Sequence, residues 1–216
     1  MANIFLPNGS TVSICNGFAA PKTISAITNA DGGVATSTAH GYADGDYIVV
    51  SSGWARLDGR VVRVDNSTTN TFELEEIDTT STTIYPPGGG VGTSKAVTGW
   101  TQITGILGST STGGEQNYWT GAPLESDREL RIPTTKSAAG IDFEVADDPA
   151  AAWYDLAKAA NDDREPRAVL VTLSNGAKLL YYAYISMGVI PSLTRDQPMA
   201  VSLSLSLVSE PTRYAS

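Results

Sequence analysis

The chain has 216 residues, a formal net charge of -9, one histidine and one cysteine. That length suits one large domain or two small ones and buries a core without disulfides or metals. The acidic balance excludes a basic footprint for gripping nucleic acid, and the lone Cys15 excludes a disulfide framework. Charged residues make up only 17% while Gly, Ser and Thr are frequent, a composition of strands and turns rather than helix bundles. No apolar run approaches the ~20 residues of a membrane span. Met1 to Phe5 lack the basic stretch and long apolar core of a secretory signal, so the chain is expected to be made and first used in a cytoplasm.

Taken in order, residues 10–15 predict a strand with Val12 and Ile14 on one face. Asn16-Gly17 follows as a turn. Residues 24–98 predict several short strands at 24–27, 34–37, 47–50, 60–64 and 71–74, separated by Gly and Asp-Gly turns. This segment closes on Pro86-Pro87-Gly88-Gly89-Gly90, a boundary mark, and Gly88-Gly89-Gly90-Val91-Gly92 reads as a flexible joint. Five or so short strands in about 70 residues point to a small β-barrel. Glu73, Glu75 and Glu76 read as a solvated strand end that discourages edge pairing.

Beyond it, residues 100–107 predict a strand. Residues 108–127 form a long Ser/Thr/Gly-rich loop carrying Tyr118 and Trp119. Strands follow at 129–132 and 141–145. A helix is predicted over 150–160, capped by Asp147 or Asp148, with Pro149 in its first turn and Trp153, Leu156 and Ala160 facing the core. Ser174-Asn175-Gly176 predicts a hairpin between strands 168–173 and 178–187, with Tyr181, Tyr182 and Tyr184 divided between core and surface. Residues 199–208 alternate strictly: Val201, Leu203, Leu205 and Leu207 against Ser202, Ser204 and Ser206. That is a strand with one buried and one polar face.

Catalytic and metal patterns are scarce. His40 lies before a tight turn and reads as a ring bonded to nearby backbone, with no serine in a nucleophile-elbow context. One His and one Cys leave no zinc set, and no phosphate-binding or dinucleotide motif occurs. Carboxylates cluster at Asp142 with Glu144, Asp147 with Asp148, and Asp162 with Asp163, yet helix-end roles account for the last two pairs. No cofactor is expected, and the chain reads as no enzyme.

Two sets of residues carry a resemblance. Thr11-Val12-Ser13-Ile14, the strand from Trp100 to Ile106, the long loop, Gly140 to Val145, the single helix, the hairpin and the Ser/Leu strand ending in Ser209-Glu210-Pro211 come in a familiar order. That order resembles the tail tube (major tail) proteins of long-tailed, non-contractile bacteriophages. Ala39-His40-Gly41, Gly45 to Val49, Leu57-Asp58-Gly59, Val62-Arg63-Val64 and Thr71 to Leu74 resemble a small β-barrel module found in phage tail proteins.

The resemblance implies a mainly β protein. A β-sandwich with one flanking helix would be built from residues 1–23 and 99–216, with a small β-barrel of residues 24–98 inserted and projecting outward. It implies hexameric rings stacked into the tail tube, in the virion, with DNA passing through the lumen unbound. Tape-measure, tail terminator and tail tip proteins would be the partners besides further copies. In such proteins the long loop reaches the neighbouring ring, which makes Tyr118 and Trp119 contact candidates, and joined sheets line the lumen, which suits Ser202, Ser204 and Ser206. Removing residues 28–95 is then expected to spare tube formation. The rival reading is a monomeric module that binds carbohydrate or a host surface through Trp54, Trp119 or tyrosines, or another virion decoration protein.

Overall fold

A computed structural model describes residues 7–215, so Met1 to Phe5 lie outside the described residues. In chain order the strands are β1 (Thr11–Cys15), β2 (Lys22–Ile24), β3 (Ala26–Ile27), β4 (Val34–Thr36), β5 (Tyr47–Ser52), β6 (Arg60–Asp65), β7 (Thr71–Leu74) and β8 (Gly92–Ala96). Then come β9 (Trp100–Ile103), β10 (Ile106–Thr112), β11 (Gln116–Gly121), β12 (Leu130–Lys136) and β13 (Gly140–Ala146). The helix α1 (Ala152–Asp163) precedes β14 (Arg167–Thr172), β15 (Lys178–Met187), β16 (Ala200–Leu207) and β17 (Thr212–Tyr214). The protein is mainly β, as its composition requires.

The larger sheet runs β10-β13-β16-β15-β14-β1-β9, with β17 added on β15. Its two ends meet in sequence, because β9 passes into β10 through Gly105, which has a φ of 77°. One bent strand therefore belongs to both ends, and the sheet wraps around its own apolar face. Val12, Ile14, Ile103, Phe143, Val145, Val169, Ile185, Val201, Leu203 and Leu205 meet there. The helix covers this core with Trp153, Ala157 and Ala160. Leu156 packs only at its margin. The alternation in β16 is thus resolved as the sequence indicates, with Val201, Leu203 and Leu205 inside.

The helix departs from expectation at its start. Asp148 Oδ1 accepts from the Ala150 N–H at 3.2 Å, so it closes a turn before the helix instead of capping it. Ala151 holds the capping position without a side-chain bond. The residues that follow Pro149 spend one turn joining β13 to the helix before its first full turn forms. The helix also runs through Asp162 and Asp163 and stops where Arg164 takes a left-handed φ of 57°.

The smaller sheet runs β2-β8-β5-β6-β7-β4-β3. Only Ser25 separates β2 from β3, so here too one bent strand nearly closes a barrel around Ile24, Ile48, Val62, Val64, Phe72 and Leu74. Phe18 bridges Val97, so the chain enters and leaves this sheet side by side. The glycine run is no flexible joint. Gly89 and Gly90 lie against the Trp54 ring, where an added Cβ would sit 2.9 Å from ring atoms, and Gly92 lies within β8. The acidic stretch does sit at the end of β7, with Glu75 and Glu76 just past Leu74, but it guards no sheet edge. Glu73 lies in β7, which is flanked by β6 and β4. Glu75 pairs with Arg63.

The two sheets share a third apolar cluster. Val49 and Val61 from the smaller sheet meet Cys15, Ala168, Leu180 and Tyr214 from the larger one. Tyr214 is fully buried. Its hydroxyl accepts the Arg63 backbone N–H at 2.7 Å, and the Arg63 guanidinium lies 4.5 Å above its ring. Lys178 Nζ donates to Tyr47 Oη at 3.0 Å, and Ser209 Oγ donates to the Gly59 carbonyl at 2.8 Å. The last strand thus ties the barrel to the β1, β14 and β15 part of the larger sheet.

Candidate assembly interface

The stretch read as a long loop is mostly strand. After β10, Gly113 and Gly114 adopt φ of 70° and 77° and turn the chain into the two-stranded hairpin β11–β12. Nearly every residue of both strands is exposed. With neither face buried, no alternation of polar and apolar residues marks it, and its Ser/Thr/Gly content reads as loop. An isolated two-stranded hairpin is at best marginally stable in water, and this one leaves both its faces to solvent.

Its faces differ. Trp119 pairs with Ile132, and Gly121 with Leu130, on one face. The Trp119 ring lies over Gly121, where a Cβ would collide with it. On the other face, the Arg131 guanidinium stacks 3.9 Å above the Tyr118 ring. Tyr118 and Trp119 are 46% and 52% exposed, large values for aromatics in an ordered strand. One ion pair, Lys136 Nζ to Glu210 Oε1 at 3.1 Å, links the base of the hairpin to the segment after β16. Lys136 holds the Glu210 carboxyl below its usual range. An open groove of about 900 Å³ runs there between Arg56, Asp58, Gln116, Lys136, Val208 and Glu210.

The polar outer face of β10, β13, β16 and the end of β15 is the second surface. Ser202 stands opposite Glu144, Ser204 opposite Asp142 and Ser186, and Ser206 opposite Tyr184. Thr110 extends the row on β10. Ser202, Ser206, Asp142, Glu144, Tyr184 and Ser186 are exposed and Ser204 is half-buried. The carboxylates of Asp142 and Glu144 meet no cation among the described residues. The strip has two edges. β10 ends the sheet, and among the described residues no strand pairs with Tyr184 to Met187 on the side away from β16, where Asn161 Oδ1 accepts the Met187 N–H at 3.2 Å.

The other singled-out residues serve the fold. His40 is 3% exposed, and its Nδ1 accepts the Tyr42 N–H at 3.1 Å, as the turn reading expects. Trp54 is 2% exposed with its Nε1–H donated to the Pro86 carbonyl at 2.8 Å, so it offers no stacking platform. Cys15 is buried, its Sγ accepts the Ala168 N–H at 3.3 Å, and burial raises its thiol pKa. Asp163 pairs with Arg167. Among the described residues, no three His, Cys, Asp or Glu side chains gather as a metal set. Tyr214 and the 189–199 loop drew no notice in the sequence. The first is a single tyrosine in a three-residue strand, and the second lacks periodicity.

A mainly β body that leaves both faces of a hairpin and the β10 edge exposed has the make-up of a structural protein that joins others of its kind. The family of phage tail tube proteins matches over residues 52–216, from the last residue of β5 onward. The chain belongs to this family and is a structural component of the virion tail. Among solved structures it is similar to a chain of a native gene transfer agent virion, at 14% identity and a TM-score of 0.42 over 54% of this chain and 89% of that one. It is also similar to a chain from the tail of an empty gene transfer agent particle, at 15% identity and 0.44 over 55% and 89%. A third likeness is to the baseplate of the anti-feeding prophage, at 14% identity and 0.40 over 55% and 85%. No curated protein sequence matches.

Proposed function

We propose that the protein forms six-membered rings that stack into the tail tube, the conduit through which DNA leaves the capsid. The observation that carries this reading is the polar strip of β10, β13, β16 and β15, which ends without a strand partner at β10 and at Tyr184 to Met187 among the described residues. An exposed strand edge is a template for pairing with another chain. Joining β10 of one copy to the Tyr184 to Met187 edge of the next, with Asn161 yielding the Met187 N–H, continues the sheet from subunit to subunit until it closes. Six copies per ring follows the family resemblance. The closed sheet presents Ser202, Ser204, Ser206, Asp142 and Glu144 to the lumen. Hydroxyls and unpaired carboxylates give the DNA phosphates no cation to hold, so DNA slides.

In this reading residues 24–98 form an inserted domain, with the tube domain drawn from residues 1–23 and 99–216. The barrel is fastened to the outer side, and the hairpin with Tyr118 and Trp119 reaches a neighbouring ring. Tape-measure, terminator and tip proteins complete the tail. A carbohydrate-binding reading loses Trp54, which is buried. Electron microscopy of purified protein, incubated at high concentration with tail initiators, tests the proposal. Hollow tubes are the expected result, and monomers alone would contradict it.

A further inference from the structure

The β15 edge of the strip is not bare. Gly188 donates its N–H to the Ser202 carbonyl at 2.8 Å, and the Tyr182 carbonyl accepts from Val208 at 2.8 Å, so the even-numbered residues of this stretch turn to β16. By the alternation of an antiparallel ladder, Ile185 and Met187 turn their N–H and C=O groups the other way. β14 does not reach them, because it begins at Arg167, opposite Ala183. The end of α1 covers that side instead. There Asn161 Oδ1 accepts the Met187 N–H at 3.2 Å, and Asn161 Nδ2 donates to Asp162 Oδ1 at 3.3 Å. Both ends of the amide are engaged, and its oxygen is the end that faces the strand.

Three features fit a removable guard rather than a structural tie. The helix is seated by Trp153, Ala157 and Ala160, and its last corner is fixed by the Asp163–Arg167 ion pair and by the Glu165 N–H, which donates to Asp163 Oδ1 at 2.8 Å. The Asn161 amide can therefore swing by a change of rotamer while the helix stays in place. An open hollow of about 550 Å³ lies beside the contact, between Asn161, Arg164, Tyr184, Ile185, Ser186 and Ser206. It leaves room for the amide to move out and for another backbone to come in. The opposite edge is blunted too, since β10 carries a bulge between Ile106 and Gly108. Open strand edges invite unplanned pairing, and native chains blunt them with bulges and covering groups.

We infer that Asn161 is a latch on assembly. In the free chain its amide oxygen occupies the Met187 N–H, and a neighbouring copy pairs with this edge only by supplying a carbonyl in its place. This rests on the tube reading and assigns a regulator to the edge that reading uses. The exchange is one hydrogen bond for another, so a single passing contact gains little from it. A strand that lies along the whole edge gains its remaining bonds and contacts besides. The latch thus holds back loose pairs of copies and lets a complete ring close.

The test compares the full-length chain with Asn161→Ala, Asn161→Asp and Ala159→Gly. Each is taken from low to high concentration with a fixed amount of tail initiators, and tubes are followed by light scattering and electron microscopy. Asn161→Ala removes the acceptor, and its tubes are expected at a concentration about fivefold lower, the worth of one net hydrogen bond. Asn161→Asp keeps an oxygen at the same place and makes it a charged acceptor, so its threshold is expected to stay or to rise. Ala159→Gly loosens the same helical turn at an exposed position, and its threshold is expected to match the native one. Amide hydrogen exchange of the unassembled chains needs no tubes, and the Met187 amide is expected to exchange about fivefold faster in Asn161→Ala than in the native protein. Native tubes whose threshold Asn161→Ala leaves unmoved, or one that all three variants shift alike, would overturn the latch and leave the tube standing. So would a Met187 amide that exchanges equally in both chains. If the native chain forms no tubes at all, the tube reading falls, and the latch with it.

Discussion

Tyr214→Phe removes one oxygen from the joint between the two sheets. Tyr214 is fully buried, and the Arg63 backbone N–H points at its hydroxyl from 2.7 Å. Without that acceptor the donor is left unpaired, which costs about 2 kcal/mol. For a chain of this size each kcal/mol moves the melting temperature by about 2–4 °C, so a drop of about 4–8 °C is expected at pH 7. The alkaline side gives a second, independent reading. Burial pushes the Tyr214 hydroxyl up to about 12, from an ordinary value of about 10. Folding favours its neutral form, so this stabilisation is complete below pH ~10 and is lost as pH rises toward 12. The loss amounts to about 3 kcal/mol. Phenylalanine has no proton to lose. Burial also raises the pKa of Tyr42, Tyr181, Tyr182 and Cys15, but these groups are common to both proteins and cancel in the comparison. Scanning calorimetry of both proteins at intervals from pH 7 to 12 is expected to show the gap between them closing above pH 10. Equal melting temperatures at pH 7, or a gap that stays constant to pH 12, would refute the role given to Tyr214.

Leu203→Ala opens a cavity where the larger sheet faces itself, and a loss of about 2–5 kcal/mol is expected in urea titrations followed by tryptophan fluorescence. Ser202→Lys with Ser206→Lys places cations on the proposed lumen face at two exposed positions. Tails built from this variant are expected to assemble but to release DNA more slowly, with the delay fading as salt rises, measured by dye-labelled DNA ejection. Deleting residues 28–95, which the sequence alone suggests would spare tube formation, removes Val49 and Val61 and so uncovers Cys15, Ala168, Leu180 and Tyr214. The shortened chain is therefore expected to aggregate on size exclusion. Replacing Leu180 and Tyr214 with Ser in that background is expected to restore a soluble protein.

How far the sequence carries the fold depends on whether a face is buried. β16 alternates because one side meets the core, so its register and its inward Leu203 and Leu205 are readable. The hairpin Ser174-Asn175-Gly176 is readable from its turn chemistry alone. β11 and β12 face water on both sides, so nothing in their order of residues records that they are strands. β8 hides behind the glycine run, because Gly92 already belongs to the strand and presses on the Ser51 backbone. The helix start is misplaced because Asp148 can cap either a helix or a turn, and its place depends on how β13 ends. The serines of β16 are legible as surface residues by pattern, whereas Tyr118 and Trp119 enter as candidates only through the family resemblance. Tyr214 is not legible, since its importance comes from Arg63, 151 positions away in the chain.

Cryo-electron microscopy of tails containing this protein tests the central claim most directly. The expected map is a hollow tube of stacked six-membered rings, with a continuous β wall, Ser202, Ser204 and Ser206 turned to the lumen, and the barrel of residues 24–98 on the outside. A filament without a lumen, or a lumen lined by the barrel instead of the β13–β16 strip, would contradict it.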